Sequence, residues 1–339
     1  MKIAIHNRPG GFSERWIKYC ENNHTDYKVV NAYDTNVIEQ VKGCDAFMWH
    51  HQHIVMGDTL FAKQLIYSLE TAGIKCFPDF YTTWHFDDKV GQKYLLEAVG
   101  APLVPSYVFY SKHDALKWIE KTDFPKVFKL RGGAGSTNVK LAHNKKEAIK
   151  LVKKAFGKGF PQSSLGMVVS ESWRKYREGK TSFITVIKCI AAYYLNSGYN
   201  KKQHPEKGYA YFQDYIPNNT FDIRVCVVGD RAFALKRLVR KNDFRASGSG
   251  SIIYDKNQID ERCIKLAFDT NEKLKMQSVA FDFVFEKDMK PLVVEISYGY
   301  AVEAYDKCEG WWDKKMNWHP GENFDFCGWM VEAIINSCD

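Results

Sequence analysis

The chain has 339 residues, 45% hydrophobic and 26% charged, an ordinary globular balance that excludes disordered and fibrous classes. The net charge of +8 comes from 48 basic and 40 acidic side chains. With no dense Lys/Arg block, it suits small anionic substrates at least as well as a nucleic-acid partner. Nine scattered cysteines, odd in number and without zinc-ligand spacing, read as reduced thiols in a cytoplasmic protein. No apolar run is long enough to cross a bilayer, and no membrane partner is expected.

The first eighty residues alternate strand and helix signals. Lys2–His6 reads as a strand rather than a signal peptide, followed by the turn Arg8-Pro9-Gly10-Gly11. Ser13–Asn22 reads as a helix with Ser13 as N-cap. Tyr27–Asn31 and Cys44–Trp49 are strands, the second running into His50-His51-Gln52-His53. Thr59–Ala72 is an amphipathic helix ending at Gly73, and Ile74–Phe77 a strand stopped by Pro78. This alternation predicts a small parallel sheet with helices on its faces, residues 1–82. From residue 83 follow a helix Asp87–Val99 closed by Gly100, a strand Tyr107–Tyr110, a helix Lys112–Lys121 and a strand Lys126–Leu130. A loop Arg131–Ser136, a strand Val139–Ala142 and a helix Lys145–Phe156 complete that segment.

Residues 161–208 have mixed periodicity, with helices expected over Ser163–Tyr176 and Thr181–Ser197. Strand signals return at Tyr209–Tyr215, Phe221–Val228 and Arg231–Val239, the last two joined by a Gly229-Asp230 hairpin turn. A helix Ile259–Leu274 precedes strands Val279–Glu286 and Leu292–Ile296. These signals divide the chain into an α/β domain at 1–82, a second unit at 83–208 and a strand-rich third at 209–339.

Several patterns carry chemistry. Glycines 132, 133 and 135 let backbone N–H groups approach phosphate oxygens, and Lys129 stands just before them, although a plain hairpin turn is the commoner use of such a loop. Asp282 and Glu295 sit inside two apolar strands joined by a short turn. Burying both carboxylates is costly without a cation; Mg²⁺ shared with phosphates is one compensator, solvent or an Arg/Lys partner another. Asp222, Arg224, Lys236 and Arg237, with Arg245 shortly after, place several cations around those acids, as a phosphate site with metal requires. The strand around Gln213-Asp214-Tyr215-Ile216 presents backbone groups suited to an adenine ring and is equally readable as core. His50, His51 and His53 end a strand of the parallel unit, where ligands gather; substrate contact ranks ahead of a polar loop, and metal binding last.

In order, these pieces resemble the ATP-grasp superfamily over roughly Trp84–Tyr298: Asp88-Lys89 opening a helix, Lys129 before a glycine-rich loop, Gln213–Ile216, Asp222-Ile223-Arg224, and the Asp282…Glu295 strand pair. The order and strand context carry the likeness rather than any one motif. Within the superfamily it looks most like the ribosomal-protein-glutamate-ligase type and related polysaccharide-modifying members. The resemblance implies an α/β (α+β) chain, a Rossmann-like pre-ATP-grasp domain at 1–82 followed by a two-lobed ATP-grasp fold, with the N-terminal lobe at 83–208, an insertion at 161–208 beyond the compact family core, and the C-terminal lobe at 209–339. Lys89 and Lys129 would bind ATP phosphates, the loop Arg131, Gly132, Gly133, Gly135 and Ser136 would close over them, and Lys236 would add to the nucleotide site. Gln213, Asp214, Tyr215 and Ile216 would line the adenine pocket, with Asp222 near the ribose. Arg224, Arg237 and Arg245 would hold the transferred phosphoryl group. Asp282, Glu295 and Ser297 would coordinate Mg²⁺, or Mn²⁺ in its place. Ser297 stands where the family has asparagine, which weakens a second metal position; Glu303 is a substitute ligand.

The activity so implied is ATP-dependent ligation of a small-molecule carboxylate and an amine through an acyl phosphate, on a sugar acid or amino acid. A small-molecule kinase for sugar or inositol and a non-catalytic ATP-binding regulator are the rivals, and a homodimer is expected only as the commonest oligomer. The C-terminal stretch Trp311-Trp312…Trp318-His319-Pro320 either lines the substrate site or packs against it.

Overall fold

The computed structural model describes residues 1–53, 55–133, 138–161, 169, 172–173, 176–177, 181–195, 205–240, 244–246, 248 and 250–337, with the backbone alone at 192–195. Four strands, β1 (Lys2–His6), β2 (Asp26–Val30), β3 (Ala46–Trp49) and β4 (Lys75–Phe77), form an all-parallel sheet in the order β2-β1-β3-β4. Parallel strands joined by crossover helices are covered on both faces. Accordingly Ile3, Ala4 and Ile5 of β1 and Phe47, Met48 and Trp49 of β3 are all buried. The strand–helix alternation of the first eighty residues is therefore realised as predicted. The helix Phe12–Asn22 is capped by Gly11 rather than Ser13. Ser13 lies inside the first turn, where its Oγ accepts from Arg8 N at 2.8 Å and braces the preceding turn.

The chain packs as two units, residues 1–104 with 216–339, and residues 105–215. The second unit is built on β5 (Ser106–Phe109), β6 (Lys126–Lys129), β7 (Val139–Ala142) and β8 (Ala210–Asp214), an antiparallel sheet ordered β5-β8-β6-β7. The strand expected at Tyr209–Tyr215 thus belongs between β5 and β6, not with the C-terminal lobe. One face of this sheet is apolar: Phe128, Leu130, Ala210 and Phe212 pack with Ala115, Ile119, Ala148 and Val152 of the helices Lys112–Ile119 and Lys145–Ala155. Alternation along the strands puts Val127 and Lys129 of β6, and Tyr211 and Gln213 of β8, on the opposite face.

In the first unit, β9 (Phe221–Val228), β10 (Arg231–Leu238), β11 (Ile252–Ile253), β12 (Ser278–Phe285), β13 (Pro291–Ser297), β14 (Gly310–Asp313) and β15 (Trp318–Pro320) form a sheet ordered β13-β12-β9-β10-β14-β15, with β11 on β10. The β9–β10 hairpin turns through Gly229 at φ +57°, a left-handed position that glycine fills without strain. One sheet face carries Ile223, Val225, Val227, Phe281 and Phe283 against the helix Glu261–Leu274. The other carries Cys226, Val228, Phe233, Leu235 and Ala280 in a core shared with the parallel sheet, the helix Phe12–Asn22 and a C-terminal helix Phe326–Asn336. Within the expected insertion, the helix Phe183–Leu195 realises most of Thr181–Ser197. The helix expected over Ser163–Tyr176 lies mainly outside the described residues.

Candidate functional site

Toward one end of the seven-stranded sheet, the face shared with the parallel sheet changes character. Its apolar rows give way to Asp222 and Arg224 on β9, Arg237 on β10, Asp282 on β12 and Glu295 on β13. Strand register brings them together: Arg224 lies opposite Asp282, Asp282 opposite Glu295, and Arg237 opposite Asp222. Arg224 grips Asp282 through both guanidinium edges, Nε–Oδ1 at 2.5 Å and Nη2–Oδ2 at 2.7 Å. Arg237 grips Asp222 likewise, at 2.7 and 2.6 Å, and its Nη2 also lies 3.0 Å from Asp282 Oδ2. Two guanidiniums and two carboxylates thus form a buried, charge-neutral quartet. Burial disfavours ionisation of Asp282, but Arg224 and Arg237 outweigh it and hold the carboxyl well below the usual carboxylate range.

Glu295 differs. Its side chain keeps 31% of its exposure, and its one close ion pair among the described residues is Lys89 Nζ at 3.9 Å. Lys89 begins the helix Lys89–Ala98, capped by Asp88, whose carboxylate accepts from Gly91 N. Gln92 Oε1 on the next turn accepts from Ile296 N at 3.3 Å, tying this helix to β13. Ser297 Oγ donates to Gly299 O at 2.8 Å, which leaves its oxygen lone pairs unspent among the described residues. Glu303 opens the short turn Glu303–Tyr305 and is exposed. Beside these residues stands an aromatic wall: Phe86 lies 5.5 Å from both His51 and His53 and 4.6 Å from Tyr298. Gly299 is required beneath it, because a Cβ there would come within 2.9 Å of Phe86 Cζ.

The three histidines part company. His50 is buried, accepts from Phe12 N at 2.9 Å through Nδ1 and stacks on the Phe12 ring at 3.8 Å. Burial lowers its pKa to about 3. His51 is buried too, bonded to Thr83 Oγ1, and its carbonyl accepts from Tyr298 OH. Both serve packing, in place of the direct substrate contact expected of them. His53 stays partly exposed and feels Asp87, Lys89 and Glu295.

In the unit 105–215, Lys129 ends β6 opposite Tyr211. On the same face Gln213 Nε2 donates to Ser106 Oγ at 3.0 Å. Asp214 does not share that face: its carboxylate binds Lys126 Nζ at 2.5 Å on the helix-covered side. The glycine-rich loop follows β6, and Gly133 adopts φ +105° with Asn138 so close that a Cβ would meet its Nδ2 at 2.4 Å. The first loop amides are aimed at a carboxylate from the same unit. Arg131 N donates to Glu206 Oε2 at 3.2 Å and Gly132 N to Glu206 Oε1 at 3.3 Å, while Tyr209 OH bonds both Glu206 and Arg131 N. Gly135 and Ser136 lie outside the described residues.

Residues 202–311 match the family model of the RimK-like ATP-grasp domain. Among solved structures, the chain is similar to a RimK domain protein ATP-grasp from Sphaerobacter thermophilus (13% identity, 99% of this chain and 100% of that chain covered, TM-score 0.59). It is similar to D-alanine–D-alanine ligase from Bacillus anthracis (15% identity, 100% and 98% covered, TM-score 0.56). It is similar also to the biotin carboxylase domain of 2-oxoglutarate carboxylase from Hydrogenobacter thermophilus, solved with Mg·ADP (12% identity, 98% and 69% covered, TM-score 0.60). The chain has the ATP-grasp fold. No curated protein sequence matches it.

Of the cations grouped around the ATP-grasp strands by sequence, Arg224 and Arg237 meet at the quartet and Lys236 does not. Neighbours on a strand face opposite ways: Lys236 Nζ lies over the Phe221 ring at 4.1 Å and 3.4 Å from Gln258 Oε1, on the other side of the sheet. Arg245 is half-buried in a segment whose carbonyl accepts from Arg240 N. Tyr215 and Ile216 are half-buried where the chain leaves β8. Glu206 escaped sequence reasoning because no periodic element surrounds it. The Trp-rich stretch forms the β14–β15 hairpin: Trp312 is buried, Trp318 lies 4.4 Å from it, and Trp311 stacks on His319 at 4.0 Å. It packs the sheet edge.

Proposed function

We propose that this chain is an ATP-dependent carboxylate–amine ligase that works through an acyl phosphate. The observation that carries the reading is the array Glu295–Asp282–Arg224–Arg237 on one sheet face of an ATP-grasp fold, with Lys89 reaching Glu295 from the start of its helix. Among the described residues no group of three or more His, Cys, Asp or Glu side chains is placed to hold a metal unaided. Two carboxylates on adjacent strands, completed by nucleotide phosphate oxygens, are instead a donor set that fits Mg²⁺. Glu295 is the accessible ligand, Asp282 the one already held by arginines, and Ser297 a weak third. When bound, Mg²⁺ supplies neutralising charge at the phosphate oxygens.

The chain's own residues do the rest. Lys129 and the amides of Arg131 and Gly132 hold nucleotide phosphates, with Gln213, Tyr215 and Ile216 at the base. Lys89, Arg224 and Arg237 hold the transferred phosphoryl group. A substrate carboxylate oxygen attacks the γ-phosphorus and ADP leaves. An amine nitrogen then attacks the acyl carbon, inorganic phosphate leaves, and the amine gives up its proton. Phosphorylation converts an oxide leaving group into phosphate, so no protein nucleophile is needed; positioning and charge stabilisation supply the rate. We read residues 1–82 as the domain preceding the two lobes, and His53 as its nearest contact to the reacting acid. D-Alanine–D-alanine ligase, a structural neighbour, joins two amino acids, which supports this class. The test is ADP release from Mg·ATP against a panel of uronic and amino acids, with and without amines. Turnover that needs both acid and amine supports the ligase; turnover with hydroxyl compounds alone refutes it.

A further inference from the structure

The helix Phe183–Leu195 has the sequence FITVIKCIAAYYL, apolar on nearly every side and carrying one charge. A helix of that composition is ordinarily buried, yet Phe183 is 49%, Ile184 64% and Ile187 52% exposed. Among its described side chains, Val186 is the buried one. Helical spacing puts Phe183, Ile184, Ile187 and Ala191 on one stripe with Lys188 at its border, and all five are exposed. Two further exposed aromatics extend the stripe: Trp173 and Tyr176 lie 5.5 Å apart, and Phe183 is 6.4 and 5.7 Å from them. Arg177 beside them is exposed as well.

Charge decides which partner fits. Between Trp173 and Lys202 the sequence holds seven Lys or Arg residues and a single acid, Glu178, whereas the whole chain holds 48 basic and 40 acidic side chains. A second copy docked about a two-fold axis would set the exposed Arg177 and Lys188 against their own copies. An anionic surface would be attracted by them. The helix is about 20 Å long at 1.5 Å per residue, too short for a hydrocarbon core of about 30 Å, and no described helix is long and apolar enough to cross a membrane. Trp173 and Tyr176 at the edge of the stripe, with Arg177 and Lys188 beside it, are side chains of the kind that settle at the headgroup layer.

We propose that the stripe Phe183–Ile184–Ile187, with Trp173 and Tyr176, docks the protein peripherally on an anionic membrane surface. Rings and aliphatic groups enter the acyl boundary while Arg177 and Lys188 meet lipid phosphates. Docking is independent of the reaction at the ionic array.

The experiment is co-sedimentation of the full chain with unilamellar vesicles of phosphatidylcholine alone or mixed with phosphatidylglycerol. Wild type pellets with the anionic vesicles, and salt on the order of 0.5 M releases it, because screening then reaches only a few ångströms. Ile184→Asp with Ile187→Asp lowers the partition coefficient by about tenfold or more, because a buried apolar pair becomes charged. Arg177→Glu with Lys188→Glu lowers it on anionic vesicles alone. Circular dichroism and melting temperature check that each variant is folded, and wild-type selectivity between the two vesicle types tests the idea without any variant. Equal pelleting with both vesicle types, or no pelleting with either, overturns the proposal. So does a concentration-dependent dimer, abolished by the two Asp substitutions, in a protein that ignores vesicles.

Discussion

Asp282 and Glu295 face each other across β12 and β13 and share a proposed metal, yet the structure sets very different costs for altering them. Asp282→Asn removes the charge that answers two guanidiniums. Arg224 contacts it at 2.5 and 2.7 Å and Arg237 at 3.0 Å. Asp222 then remains to balance both arginines inside a buried cluster. Breaking a buried pair by removing one partner costs about 3–5 kcal/mol. The unit concerned holds residues 1–104 and 216–339, and at roughly 2–4 °C per kcal/mol for a domain of that size the melting temperature falls by about 6–20 °C. Glu295→Gln breaks one ion pair at 3.9 Å with a side chain still 31% exposed; such pairs contribute about 0–1 kcal/mol, so its melting temperature stays within about 4 °C of wild type. Differential scanning calorimetry reads both, and ADP release reads the function: both variants lose turnover. Adding Arg224→Met to Asp282→Asn recovers part of the stability, since it removes the uncompensated cation. Equal melting temperatures for the two single variants, or a double variant no more stable than Asp282→Asn, would refute the quartet as the source of the difference.

Glu206 occupies amides that the proposed reaction assigns to phosphate, so Glu206→Gln removes a competing anion. Calorimetric titration should show ATP binding about tenfold tighter, the worth of one charge-assisted bond relinquished; weaker binding would mean that Glu206 supports the loop instead. Burial lowers the pKa values of His50 and His85 to about 3. Both therefore remain neutral in the fold while the unfolded chain takes up protons below about pH 6.5. Their contribution to stability is full above that value and falls as pH drops toward 3, by about 1.4 kcal/mol per pH unit for each. Urea unfolding at pH 5.5 against pH 7.5 should show a loss near 3 kcal/mol from the pair, and His85→Phe should remove its own share, about 1.4 kcal/mol. Gly299→Ala pushes against Phe86 at 2.9 Å, with an expected cost of about 1–3 kcal/mol from overpacking, read as a shift of the urea midpoint without a change in slope.

What could be read from the sequence follows the range of the forces involved. The parallel sheet, the hairpin at Gly229 and the helix after Asp88 rest on local periods and turn chemistry, and they appear as expected. The paired acids were legible because a carboxylate inside an apolar strand is conspicuous. Their partner was not: matching places on neighbouring strands favoured a metal over an arginine, and only strand register sets Arg224 opposite Asp282. The same register separates Lys236 from Arg237, and Asp214 from Gln213, to opposite faces of their sheets; adjacency in sequence suggested convergence where a period of two dictates divergence. The His50-His51-Gln52-His53 run divides between buried and partly exposed positions, by burial that no local signal encodes. The C-terminal helix Phe326–Asn336 is held by Phe326, Met330, Val331 and Ile334 in a core with Phe12 and Trp16, three hundred residues away along the chain. Its stability comes from that non-local packing rather than from its own pattern. Glu206 is the extreme case: it acts through backbone amides of Arg131 and Gly132, some seventy-five residues earlier. An amide has no sequence signature, so a carboxylate that answers one leaves no trace until the chain is folded.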